Sequence, residues 1–110
     1  MKNELINYIN ERIIWCKHEQ ERLRSECRKD EATHVQIGAN VYNIFLSNYQ
    51  AMKYDLDATL AKFSAIVAVW EENHRRAVEH DDYAKKFIEE IKIERAMEII
   101  RRAKETETNV

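Results

Sequence analysis

The chain has 110 residues, no proline and a single glycine, Gly38, and its 18 basic and 20 acidic residues give a formal net charge of −2. Because glycine and proline make tight turns possible, their scarcity predicts helices joined by short connections. It also argues against the glycine-rich loops that hold phosphates or present a nucleophile. We therefore expect one all-α domain over residues 1–104, followed by a polar, frayed tail at 105–110.

The first helix is predicted from about residue 3 to about residue 30. Its apolar residues recur at spacings of three and four, as in a heptad seam; the seam comprises Ile6, Ile9, Ile13, Cys16, Gln20, Leu23 and Cys27. Gln20 either sets the register of the seam or marks where it reaches solvent. Cys16 and Cys27 would lie roughly 16 Å apart along this helix, so they cannot form a disulfide there and are expected as reduced thiols.

The second helix is predicted to begin at Thr33, because Thr33 and Gln36 have the spacing of a capping box. Its apolar face continues in phase through Tyr54–Asp57 to His74. An unbroken helix to about residue 79 would be roughly 70 Å long and would need a second chain to cover it. Alternatively, Asp55 or Asp57 caps a further helix and the chain closes as a four-helix bundle. We favour the long helix, since no glycine or asparagine is present to form a turn.

The predicted architecture is thus an antiparallel helical bundle of three or four helices with coiled-coil-like packing. The segment Ala58–Trp70 is apolar on nearly all sides, which is typical of a surrounded helix, and we expect it at the centre of the core. A homodimer is expected to be built around Leu56–Trp70. Asp81 or Asp82 is predicted to cap a last helix that runs to about Lys104.

Two helices carry more apolar surface than one face can bury. In the last helix the second apolar set is rotated by roughly 100° from the first; the sets are Ala84, Phe87, Ile88 and Ile91, then Ile93, Ala96, Met97, Ile100 and Ala103. In the first helix Tyr8, Ile14 and Trp15 lie outside the seam. These patches either cover one another or form an association surface.

The function predicted from these features is that of a non-enzymatic interaction or assembly protein, acting through self-association or contacts with another protein. The candidate interface residues are Tyr8, Ile14, Trp15, Leu56, Leu60, Phe63, Ile93, Met97 and Ile100. No cofactor and no catalytic residue is predicted. Residues 1–10 lack the apolar core of a secretion signal and no stretch is long enough to span a membrane, so we expect a cytoplasmic protein without a membrane partner.

A metal-carboxylate bundle of the ferritin-like kind is the main alternative, because such bundles bind metal through Glu-x-x-His motifs. The spacing occurs at Glu31 and His34, which straddle the predicted cap, and at Glu71 and His74. Glu71 and His74 are therefore the weak metal candidates. A core or boundary position for His74 is the simpler interpretation.

An accessory nucleic-acid-binding protein is the second alternative. The basic groups are Arg22, Arg24, Arg28 and Lys29 in the first helix and Arg101, Arg102 and Lys104 near the end. Acidic residues accompany both groups, which is typical of solvated, ion-paired faces. Nucleic acid is therefore not an expected partner, and Tyr42, Phe45 and Tyr49 are expected in the core and not as a stacking platform.

Overall fold

The computed structural model describes residues 2–108, and within this range the chain folds into four helices. They are α1 (Lys2–Ser25), α2 (Lys29–Ala51), α3 (Leu56–Glu79) and α4 (Tyr83–Thr108). The connections span only residues 26–28, 52–55 and 80–82, so consecutive helices run antiparallel. The all-α class is confirmed, and the four-helix alternative is the correct one.

The helices α2 and α4 each pack against all three other helices. In the described residues α1 and α3 make no contact and lie on opposite sides of the bundle. The seam of α1 is largely confirmed, and Gln20, with 6% exposure, is buried and does not mark where the seam meets solvent. The three α2 aromatic residues predicted in the core are buried there. The largest fully buried side chains are Leu5, Ile9, Val41, Tyr42, Phe45, Thr59, Phe63 and Ile99.

The prediction of one long second helix is wrong, because the chain reverses direction between α2 and α3. Lys53 and Tyr54 adopt positive φ angles of 54° and 65°, which cost about 1–2 kcal/mol each for residues with a Cβ atom. The Tyr54 ring packs edge-on against Tyr49, with centroids 5.3 Å apart, and Lys2 Nζ lies 4.2 Å from the same ring. Asp55 then caps α3 by accepting a hydrogen bond from the Ala58 amide at 3.1 Å. Side-chain packing and a cap thus replace the glycine.

The predicted capping box at Thr33 is also wrong. The first helix ends at Ser25. In the turn that follows, Cys27 takes a φ of 60° and the Arg28 amide donates to the Leu23 carbonyl at 2.8 Å. Since α2 begins at Lys29, Thr33 lies inside the helix and donates its hydroxyl hydrogen to the Lys29 carbonyl. A backbone turn with a left-handed cysteine ends α1, and the sequence pattern gave no indication of it.

The start of α4 is as predicted, because Asp82 accepts a hydrogen bond from the Lys85 amide at 3.1 Å. The helix continues to Thr108, so residues 105–108 of the predicted tail are helical. Asn109 and Val110 lie outside the described residues. Across residues 2–108, no helix combines the length and apolar character needed to cross a membrane.

The expectation that Ala58–Trp70 is surrounded on all sides is not met. Phe63, Val67 and Trp70 point into the core, whereas the opposite side of this segment is exposed. We call that side the α3 outer face; it comprises Ala61, Ser64, Ala65, Ala68 and Val69, with the exposed Lys62 at its edge. Because α3 packs against α2 and α4 alone, its far side leaves apolar residues in solvent.

Candidate functional site

A cavity of about 230 Å³ lies where α1, α2 and α4 meet, and we call it the α1/α4 cavity. Its lining combines apolar side chains with basic ones; the residues are Arg12, Trp15, Cys16, His34, Val35, Gly38, Phe87, Ile91 and Arg95. Trp15 and Phe87 are each 47% exposed, so they lie at the mouth of the cavity. The Arg95 side chain passes close to Gly38 in this lining. A Cβ atom at residue 38 would lie 3.3 Å from Arg95 Cγ.

A hydrogen-bond network built around Glu98 adjoins this cavity. Glu98 Oε2 accepts hydrogen bonds from Tyr8 Oη at 2.6 Å and from Tyr42 Oη at 2.5 Å. Glu98 Oε1 accepts one from Arg95 Nη1 at 2.7 Å. Arg12 Nε donates to Tyr42 Oη at 3.0 Å and lies 3.6 Å from Glu98 Oε2. One carboxylate on α4 therefore ties together α1, α2 and α4.

The pKa values of this network follow from its geometry. Burial on its own raises the pKa of Glu98, but hydrogen bonds from Tyr42 and Tyr8 together with the charges of the two arginines bring it below the usual range. Burial raises the pKa of both tyrosines, and their hydrogen bonds to the carboxylate raise it further. Glu98 is consequently charged and both phenols are protonated at neutral pH.

Two further residues of the cavity lining, Cys16 and His34, are held by burial and by an aromatic contact. Burial raises the pKa of the Cys16 thiol, which keeps it protonated and weakly nucleophilic. His34 packs edge-on against Phe87, with ring centroids 4.7 Å apart. The arrangement is suited to binding through apolar contact and positive charge.

The candidate interface residues fall into three groups. Ile14, Trp15 and Met97 are about half exposed, at 55%, 47% and 46%. Phe63 is fully buried within the single chain and so cannot contact another copy without a change of fold. The others are half-buried; they are Tyr8, Leu56, Leu60, Ile93 and Ile100.

The off-seam patch of α1 partly meets α4, as one of the two sequence interpretations held. Tyr8 is bonded to Glu98 and its ring lies 4.8 Å from the Arg102 guanidinium. Trp15 shares the cavity lining with Phe87. Contact with α4 therefore covers Tyr8, whereas Ile14 and Trp15 stay about half exposed.

The two metal candidates, Glu71 and His74, lie in different surroundings. His74 Nε2 lies 3.2 Å from Glu90 Oε1 of α4, whereas Glu71 is exposed to solvent. In the described part of the chain no three His, Cys, Asp or Glu side chains are grouped closely enough to hold a metal ion. His74 occupies the boundary position that was its simpler interpretation.

The basic residues at the end of α1 and in the connection that follows it lie in ion-paired faces. Arg22 contacts Glu26 at 2.7 Å and is also bonded to Glu19, and Arg28 contacts Glu26 at 3.0 Å and is bonded to Glu31. Such exposed pairs leave little unbalanced positive charge for a nucleic acid.

Sequence analysis missed Arg12, Arg95 and Glu98. A signal for two of them was present, because the Phe87 and Ile91 stripe of α4 continues at helical spacing into Arg95, Glu98 and Arg102. Charged residues that extend an apolar stripe point toward a neighbouring helix. Comparison with known protein families, with curated proteins and with solved structures found no match for this chain.

Proposed function

We propose that this chain is a non-enzymatic helical interaction protein that self-associates through the α3 outer face. The observation that carries this proposal is the absence of charge on α3 between Lys62 and Glu71, in a chain of which 35% is charged. On this stretch Ser64, Ala65, Ala68 and Val69 face solvent, and Val69 is 58% exposed. A solvated helix face of this length is ordinarily polar, so a partner surface is the expected cover.

A second copy supplies a matching surface. An uncharged face is best covered by another uncharged face, because a charged partner would lose hydration without gaining an ion pair. A two-fold contact brings the same patch from both copies together. Alanine and serine side chains are small, which favours close approach of two helices. The homodimer expected from the sequence around Leu56–Trp70 is thus retained for a new reason, the uncharged outer face instead of the length of the helix.

Sedimentation equilibrium over a wide concentration range tests the proposal. We expect a monomer–dimer equilibrium for the unchanged chain and a shift to monomer for Ala65→Glu and Val69→Glu, which place a charge in the contact. Val78→Glu is the matched control, because Val78 is 47% exposed on α3 but lies outside the outer face. A chain that stays monomeric at all concentrations would disprove self-association, and equal weakening by Val78→Glu would place the contact elsewhere.

Disulfide trapping provides an independent test in a Cys27→Ser background, where Cys16 remains buried. Ala68→Cys should form a covalent dimer on mild oxidation, because a residue near the two-fold axis meets its own copy. Lys17→Cys is the control, since Lys17 is exposed on α1 and away from α3. Equal trapping at both positions would indicate random collision and count against the interface.

The non-enzymatic character and the cytoplasmic location belong to the same proposal. The carboxylate beside the α1/α4 cavity, Glu98, is engaged by Tyr8, Tyr42 and Arg95, and the buried Cys16 is a poor nucleophile. The exposed Cys27 thiol suits a reducing compartment.

A further inference from the structure

We propose that the α1/α4 cavity binds a small organic acid, with the apolar body of the ligand in the cavity and its carboxylate on Arg12. Three features of the cavity support this assignment: uncommitted donors, an excess of positive charge and apolar walls of matching size. The inference is independent of self-association, because the cavity lies between α1, α2 and α4 and the α3 outer face takes no part in it.

The uncommitted donors belong to Arg12. Its Nε donates to Tyr42, but among the described residues Nη1 and Nη2 donate no hydrogen bond. The guanidinium carbon lies 4.6 Å from the centroid of the Trp15 ring, so the guanidinium is held against an aromatic wall at the mouth of the cavity. An immobilised guanidinium with two free amino groups presents the paired donors that bind a carboxylate.

The charge beside the cavity is unbalanced. Arg12 and Arg95 are half-buried, and Glu98 is the carboxylate that they share. Arg95 also contacts Glu94, but that side chain is 72% exposed and its charge is screened by solvent. Two cations against one buried anion leave about one positive charge, which a single carboxylate on the ligand would neutralise.

The walls and the volume specify the rest of the ligand. Trp15, Val35, Phe87 and Ile91 supply apolar surface on both sides of the space. An apolar cavity of about 150 Å³ is sufficient for a benzene molecule. The present 230 Å³ therefore accommodates one ring or a short branched chain together with its carboxylate arm. Larger ligands would require the helices to separate.

Titration of the ¹⁵N-labelled protein with phenylacetate tests the proposal, with phenylacetamide, acetate and inorganic phosphate as comparison ligands. We expect phenylacetate to shift the amide signals of the cavity residues and to bind at least about tenfold more tightly than phenylacetamide, since a charge-assisted hydrogen bond is the stronger one. Acetate and phosphate should leave those signals unchanged at the same concentration. Equal binding of acid and amide, or no binding of phenylacetate, would overturn the proposal.

Two pairs of variants locate the site. Arg12→Leu should reduce phenylacetate binding to the level of the amide, whereas Arg24→Leu, an exposed arginine further along α1, should not. Val35→Phe should fill the cavity and abolish binding. Ile44→Phe is its control and should leave binding unchanged, because Ile44 is a half-buried residue that lines a depression between α2 and α3. Retained binding in Val35→Phe would contradict the assignment. If Arg12→Leu loses its helical circular dichroism, the acid–amide comparison and the Val35 pair decide.

The two cysteines give a readout that does not depend on the ligand signal. Cys16 lines the cavity and Cys27 lies in an exposed turn. Because Cys16 is buried, N-ethylmaleimide should reach it slowly and only when the cavity opens; saturating phenylacetate should slow that alkylation several-fold further and leave the rate at Cys27 unchanged. Equal rates at Cys16 with and without phenylacetate would count against occupancy of the cavity.

Discussion

Tyr42 and Glu98 are 56 residues apart in the sequence, and their side chains are joined by a hydrogen bond of 2.5 Å between the phenol oxygen and Oε2. The bond links α2 to α4. Because Tyr8 of α1 donates to the same oxygen, one carboxylate oxygen joins side chains of three helices.

Replacing Glu98 with glutamine should lower the free energy of unfolding by about 2–3 kcal/mol, because the amide carries no charge to oppose the two arginines and its NH2 group cannot accept the hydrogen bond from Arg95. Thermal and urea unfolding measure this loss. Tyr42→Phe removes the hydrogen bond to Glu98 and the acceptor of Arg12 Nε, and should cost about 1–2 kcal/mol. A Glu98→Gln variant as stable as the unchanged chain would mean that the network adds nothing to stability.

Glu98→Gln should also change how the free energy of unfolding depends on pH in acid. The folded-state pKa of Glu98 lies below its usual value, so the folded chain binds fewer protons than the unfolded chain as the pH falls below about 4.5. Stability from Glu98 is present above that pH and is lost as the pH drops through the folded-state pKa. Urea titrations from pH 6 to pH 2 in high salt should show a flatter profile for Glu98→Gln. Glu19→Gln is the control and should leave the profile unchanged, because the exposed ion pair of Glu19 with Arg22 is screened by salt.

Glycine substitution separates the two strained residues of the turn between α2 and α3. Lys53→Gly should raise the free energy of unfolding by about 0.5–1 kcal/mol, because glycine adopts the positive φ angle without a Cβ clash. Tyr54→Gly removes the same strain but also the ring contacts with Tyr49 and Lys2, so it should give no gain. Urea unfolding of both variants measures the difference. A loss of stability in Lys53→Gly would show that the turn carries no strain at that residue.

Alanine substitution distinguishes the real helix cap from the apparent one. Asp55→Ala should cost about 1 kcal/mol, because it leaves the Ala58 amide at the first turn of α3 without its acceptor. Thr33→Ala should be neutral or slightly stabilising, since Thr33 lies inside α2 and alanine is the better helix former. Thermal unfolding of the pair measures the contrast. A larger loss for Thr33→Ala would restore the capping box predicted from the sequence.

Glu89 is a buried carboxylate whose substitution should stabilise the fold. It is 3% exposed; Oε1 accepts a hydrogen bond from Lys92 Nζ at 3.1 Å, and Oε2 has no partner among the described residues. Glu89→Met has a similar volume and should raise the free energy of unfolding by about 1–3 kcal/mol. Glu94→Met, at an exposed position of the same helix, should change it little. Destabilisation by Glu89→Met in urea unfolding would indicate that the Glu89–Lys92 pair is required.

Local patterns predicted those parts of the fold that depend on residues near one another in the chain. The α1 seam as far as Leu23 and the cap at Asp81 or Asp82 were predicted from the sequence, because helical periodicity and capping act over three to seven residues. The break after Ala51 was only the second of two alternatives, since packing between side chains of different helices offsets the positive φ angles there. The Glu98 network was missed because its members are 30, 56 and 90 residues apart.

The sequence by itself determined that the chain is helical and that two of its helices carry more apolar residues than a single face can hold. Composition and periodicity can be read from the order of residues without knowledge of any tertiary contact. Only the tertiary structure decided which helices contact all the others, where the apolar excess remains exposed, and that Arg12 keeps free donors beside a cavity. These features depend on how α1 and α4 approach each other across α2. That approach is set by the joint packing of distant side chains and by no local pattern.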